Sequence, residues 1–138
     1  MTNAIARAPL KLKGKFVLVG ALVTLGLTLG AGWLAAAFGS PNAAVLLGIL
    51  AFLAAGAVTR MLSETVQPRE PALGAAIAIG VLSGLQWMML RRKNGDLPTL
   101  PMLVSLLFAI VFAYALTWLG ARLVTYARTR SNRTARPA

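Results

Sequence analysis

Glu64, Glu70 and Asp96 are the only carboxylates in the chain, which contains no His and no Cys. Acid–base catalysis, metal ligation and nucleophilic attack each need such groups gathered at one place. Without imidazole or thiolate there is no soft-metal site, no Ser-His-Asp or Cys-His arrangement and no thiol redox couple to build. A Walker motif and a dinucleotide-type turn are also missing, because the glycines lie within apolar stretches and not between a strand and a helix. No catalytic, cofactor-binding or metal-ligating residue is therefore assigned, and no cofactor is expected. An enzyme acting on lipid would need Glu64 or Glu70 beside Arg60 or Arg69 in a lipid-accessible cleft. No such acid–base pair is evident, so the chain is not expected to be an enzyme.

Arg60, Glu64, Arg69, Glu70 and Gln86 remain as candidate polar interaction residues. Arg60 and Glu64 are four apart and would pair if their helix continued past the membrane, in the weaker Arg-then-Glu order. Glu70 directly precedes Pro71, where its charge suits the positive end of a helix dipole. Gln86 would bond across to a neighbouring helix or face water. Thr24 and Thr28, one helical turn apart, are expected to bond their own backbone.

The elements that must carry these residues follow from where charge is absent. The chain is 58% apolar and 12% charged, against about 45–50% and about 25% in soluble domains. No charged residue occurs from Phe16 to Thr59, a run of 44 residues, enough for two membrane spans of about 20 residues each and a turn between them. The turn is Phe38-Gly39-Ser40-Pro41-Asn42: Gly39 suits a left-handed position after a helix, Ser40 an N-cap and Pro41 a first helical position. Two further charge-free runs, Pro71 to Leu90 and Leu97 to Ala121, give four spans in all. We expect an all-α membrane bundle with helices over 16–38, 41–61, 71–90 and 98–122. It would be flanked by a basic N-terminal arm, 1–15, and a basic, disordered C-terminal tail, 126–138. No period-two alternation suggests a β-barrel. No acid falls inside a span, which weighs against proton-coupled transport.

With four spans the two tails and the central loop share one side. That side carries Arg7, Lys11, Lys13, Lys15, Arg60, Arg69, Arg122, Arg128, Arg130, Arg133 and Arg136, and the other only Arg91, Arg92 and Lys93. The imbalance predicts cytoplasmic termini. Ala35-Ala36-Ala37 after a basic, apolar start resembles a signal-peptide cleavage site. The apolar stretch from Phe16 to Leu34 is, however, longer than the about 7–15 residues of a signal, so a retained helix is expected.

In lipid, helices approach most closely through small residues. The expected packing positions are Gly26 and Gly30 on the first helix and Ala72, Ala76, Gly80 and Gly84 on the third. Ser105, Ala109 and Ala113 are the choice on the fourth, and Ala44 with Gly48 offers such a face on the second. The first and third helices share the pattern Gly-Ala-x4-Gly-x3-Gly-x2-Trp at an offset of 54: Gly20-Ala21, Gly26, Gly30 and Trp33 against Gly74-Ala75, Gly80, Gly84 and Trp87. The second and fourth show no convincing match. A duplicated helical hairpin, helices 1–2 and 3–4, would produce such a repeat. Trp33, Trp87 and Arg122 are expected as interfacial anchors.

The expected partners are the bilayer, anionic lipids at the basic termini, and a further copy or another membrane protein. Nucleic acid is not expected, since only Tyr126 interrupts the basic tail and a stacking platform is lacking. The expected function is that of a small multi-pass protein of the bacterial inner membrane, an accessory or scaffolding subunit without catalysis. The alternative is an oligomeric, holin-like pore or a small transporter.

Overall fold

The computed structural model describes residues 13–95 and 99–135. They form four α-helices and no strand: α1 Gly14–Phe38, α2 Pro41–Leu62, α3 Arg69–Asn94 and α4 Thr99–Thr134. Residues 1–12 of the N-terminal arm, Asp96, the expected start of the fourth span at Pro98, and Arg136 lie outside the described residues. All four helices are long and apolar enough to cross a membrane. At 1.5 Å per residue even α2, with 22 residues, reaches the roughly 30 Å of a hydrocarbon core.

The α1–α2 turn has the expected chemistry. Gly39 takes a left-handed conformation, φ 62°, and donates its N–H to the Ala35 carbonyl at 3.1 Å; Pro41 opens α2. Ser40 occupies the N-cap with extended backbone, but its hydroxyl makes no capping bond, in contrast to expectation. α3 begins two residues earlier than the charge-free run, at Arg69, which brings Glu70 into its first turn. α4 differs most. It runs unbroken to Thr134, so residues 126–134 are helical and not the irregular tail the sequence suggested. At 36 residues it is about 54 Å long, and its last turns carry Arg128, Arg130 and Arg133 beyond any bilayer core.

Around the bundle the order is α1, α2, α4, α3. α1 packs on α2 and α3, α4 packs on α2 and α3, α2 and α3 touch across the diagonal, and α1 and α4 do not meet among the described residues. The start of α1, the end of α4 and the 63–68 loop lie at one end, called the terminal end. The α1–α2 turn, the end of α3 and the start of α4 lie at the other, distal end.

Burial is strongly uneven along this axis. The buried residues are Gly20 and Thr24 of α1, Ala51, Ala55, Gly56 and Thr59 of α2, Val66 of the loop, residues 70–72, 74, 75 and 78 of α3, and Ala113, Thr117, Gly120 and Ala121 of α4. All belong to the terminal half or the middle. No residue in 25–50, 79–95 or 100–112 is buried. The core is thus built mostly of Gly, Ala and Thr, with Val66, Glu70 and Pro71 at its terminal end, while many large apolar side chains point outward, as a lipid solvent permits.

Candidate functional site

Two features organise the terminal half: backbone-to-backbone helix crossings, and two polar nodes that tie the helix ends together. At the α1–α3 crossing, a Cβ added to Gly20 would stand 2.6 Å from the Pro71 Cα. One added to Gly74 would meet the Val17 carbonyl and stand 2.6 Å from the Ala21 nitrogen. The contact is reciprocal, because Val17 and Pro71 are related by the same offset of 54 as Gly20 and Gly74. The α2–α4 crossing repeats the arrangement. A Cβ at Gly56 would meet the Thr117 carbonyl and stand 2.9 Å from the Ala121 nitrogen; one at Gly120 would meet the Leu53 backbone. Here the offset is 64: Leu53 matches Thr117 and Gly56-Ala57 matches Gly120-Ala121. No side chain larger than hydrogen fits at any of the four glycines without moving backbone.

The first polar node is Glu70, 1% exposed. Its Oε1 accepts the Lys13 N–H at 2.8 Å and its Oε2 the Gln67 N–H at 3.0 Å. Lys13 is the N-cap of α1, and Gln67 stands at the matching position before α3, again 54 residues on. One carboxylate therefore satisfies a free amide at two helix starts and lies at the positive end of both dipoles. The second node is Arg60. Its Nε donates to Thr125 Oγ1 at 3.2 Å, and its Nη1 donates to the carbonyls of Glu64, at 2.9 Å, and of Val66. The guanidinium fork so fastens the 63–68 loop to α2 and α4. The expected Arg60–Glu64 ion pair does not form: Arg60 binds the Glu64 backbone, and the Glu64 side chain is exposed, as is Arg69. The carbonyls of a short loop after a helix end need donors, and the guanidinium supplies several from one side chain.

Thr24 and Thr59 hydroxyls donate to the Gly20 and Ala55 carbonyls at 2.7 and 2.8 Å, and Thr28 to that of Thr24 at 2.7 Å. Thr117, equally buried at the α2–α4 crossing, has no partner for its hydroxyl.

Of the residues chosen for helix packing, Ala72 and Ala113 are fully buried, Ala76 and Ala109 are half-buried, and a Cβ at half-buried Gly80 would stand 3.6 Å from the Ile110 side chain. Gly26, Gly30 and Ser105 are exposed; a Cβ at Gly26, Gly30 or Gly84 would meet no atom within 4 Å. The physical reason is helical phase: at about 100° per residue Gly26 lies about 240° round α1 from Gly20, and Gly80 and Gly84 lie about 240° and 280° round α3 from Gly74, so these later glycines do not face the α1–α3 crossing. Trp33 is 76% exposed at the distal end, Trp87 half-buried, and the Arg122 guanidinium lies over the Trp118 ring at 4.5 Å from its centroid.

A cleft of about 420 Å³ lies between the distal halves of α3 and α4. Gly84, Gln86, Trp87, Ser105 and Ala109 line it, with Leu, Met and Ser side chains completing walls that are mostly apolar. Gln86 is exposed and bonds to no neighbour among the described residues.

Sequence reasoning missed Gly20, Gly56, Gly74 and Gly120 as crossing points, and the burial of Glu70. A Gly-Ala dipeptide at each crossing was the available signal: Gly20-Ala21, Gly56-Ala57, Gly74-Ala75 and Gly120-Ala121. The α2–α4 pair escaped notice because its offset is ten residues longer than that of α1 and α3. Gly30-Ala31 has the same dipeptide, but Gly30 is exposed and a Cβ there would meet no atom within 4 Å.

Four long apolar helices with a Gly/Ala/Thr interior and outward-facing large side chains define an all-helical four-helix membrane bundle. No protein family, curated protein or solved structure matches the chain.

Proposed function

We propose that this chain is a non-catalytic accessory or scaffolding subunit of a membrane complex, held in the bacterial inner membrane with both termini in the cytoplasm. The observation that carries the reading is the division of the bundle. The terminal half is clamped by backbone crossings and two polar nodes, while at Gly26 and Gly30 of α1 and Gly48 of α2 an added Cβ would meet nothing of this chain within 4 Å. Such positions admit a foreign helix at backbone distance, the main source of helix association in lipid. The orientation rests on eleven Lys and Arg residues at the terminal end against three at the distal end. The basic last turns of α4 would emerge through an anionic leaflet, each charge near its surface contributing about 1 kcal/mol.

The test is the mass of the full chain purified in mild detergent, with any co-purifying protein identified. We expect a stable hetero-complex that Gly30→Leu dissociates, while the variant keeps its helical content. A lone assembly of three or more copies would replace this reading with a holin-like pore, which leakage from liposomes would then have to display. A lone monomer would overturn both.

A further inference from the structure

The two hairpins are built alike at their crossings but differ at their distal ends. Trp33 and Trp87 occupy matching positions. After Trp33 the chain continues Leu34-Ala35-Ala36-Ala37-Phe38 into a tight, uncharged turn, and Trp33 is 76% exposed. After Trp87 it continues Met88-Met89-Leu90-Arg91-Arg92-Lys93, and Trp87 forms part of the α3–α4 cleft. A second, more open depression shares Trp87 and adds Arg91 and Arg92; the Arg91 guanidinium lies 5.4 Å from the Trp87 ring centroid. An apolar slot and a cationic rim therefore meet at one aromatic side chain.

From this juxtaposition we propose that the α3–α4 cleft is a binding site for an anionic phospholipid of the surrounding bilayer, with one acyl chain in the slot and the phosphate at Arg91, Arg92 and Lys93. Three properties of the site fit that occupant. From Ser83 to Leu90 the slot extends about 10 Å along α3, comparable to the roughly 15 Å depth of one leaflet's hydrocarbon. Its volume of about 420 Å³ lies within the roughly 300–1,000 Å³ of small-ligand sites. Its walls are mostly apolar, and the few polar groups, Ser83, Gln86 and Ser105, suit the glycerol-ester region and not a water-filled path. The rim explains a departure from the charge pattern as well. Three cations stand together in the last turn of α3, at the end that carries few. The site lies across the bundle from the α1–α2 faces and does not depend on the accessory-subunit reading.

Two full-length single-tryptophan variants report on it, one retaining Trp87 (Trp33→Phe with Trp118→Phe) and one retaining Trp33 (Trp87→Phe with Trp118→Phe). Each is reconstituted into phosphatidylcholine vesicles containing a minor fraction of lipid brominated on its acyl chains, with either a phosphatidylglycerol or a phosphatidylcholine headgroup. Bromine quenches tryptophan emission on contact. We expect brominated phosphatidylglycerol to quench Trp87 several-fold more efficiently than brominated phosphatidylcholine at the same fraction, and Trp33 to be quenched equally by both. Arg91→Gln, Arg92→Gln and Lys93→Gln combined should abolish the headgroup preference at Trp87. Gly84→Leu fills the slot at a position where a Cβ meets nothing, and should reduce quenching of Trp87 by both lipids. Helical content by circular dichroism shows that each variant is folded. Equal quenching of Trp87 by the two headgroups would overturn the proposal, leaving bulk lipid contact only. Protection of Trp87 from both lipids would overturn it in favour of protein covering the cleft.

Discussion

The terminal and distal halves of this bundle use the same residue types for opposite ends. Both contain glycines spaced along helix faces. At Gly20, Gly56, Gly74 and Gly120 a single added carbon runs into the backbone of another helix, whereas at Gly26, Gly30, Gly48 and Gly84 it meets nothing within 4 Å. The difference lies in helical phase and not in local composition. Gly26 and Gly30 are about 240° and 280° round α1 from Gly20, and Gly84 is about 280° round α3 from Gly74, so they share a helix with a crossing glycine but not its face. A small-residue motif in a membrane helix thus marks where a neighbour is admitted, and whether that neighbour is internal depends on the crossing point.

The largest test of the contrast is substitution within the two sets. Gly56→Ala and Gly120→Ala force carbon into the facing backbone and are expected to lower stability by about 1–3 kcal/mol each, and the corresponding Leu variants to abolish the folded bundle. Gly26→Ala and Gly30→Ala should instead be neutral or stabilising by up to about 1 kcal/mol, since alanine orders a helix at lower entropic cost. Thermal unfolding in one detergent, followed by circular dichroism, separates the sets. Similar losses at all four positions would break the comparison.

Glu70→Gln comes next. An amide presents one acceptor where the carboxylate presents two, so either Lys13 or Gln67 loses a buried partner, at about 1–3 kcal/mol. The exposed Glu64→Gln is the control and should change stability by no more than about 0.5 kcal/mol. An equal response of the two would show that the node does not hold the helix starts together.

A smaller effect is expected for Arg60→Lys. An ammonium on a single-atom head cannot serve Thr125 and two loop carbonyls in the geometry of the fork, and the loss should be about 1 kcal/mol. Limited proteolysis should then cut residues 63–68 faster, with cleavage elsewhere unchanged. Unaltered cutting would assign the loop's order to packing of Val66 alone.

The smallest effect is that of Thr117→Val. It replaces an unpartnered buried hydroxyl by a methyl of similar shape and should change the thermal midpoint little or raise it, by at most about 1 kcal/mol. A marked loss would mean that the hydroxyl has a partner in the membrane.

The four helices were legible because charge is excluded from hydrocarbon over about 20 residues, a signal that needs no tertiary information. The turn at Gly39-Ser40-Pro41 was legible because each residue answers a local backbone demand, although the Ser40 hydroxyl is left without its bond. Glu70 was read only as a charge near a helix start. Its burial, and its bond to Lys13 fifty-seven residues away, exist only once α1 and α3 lie side by side. Arg60 was placed against the Glu64 carboxylate because helical spacing alone suggests it. Loop carbonyls compete more effectively than a solvated side chain, and sequence does not reveal where they point.

By itself, then, the sequence determined the solvent of this protein and the number and approximate place of its spans, because transfer of charged and polar groups into lipid is a residue-by-residue cost. Only the tertiary structure decided which of many glycines are contacts, which acid is buried and which end of the bundle stays open. These depend on where helices cross, and lipid exerts little hydrophobic pressure to bring any particular pair of faces together.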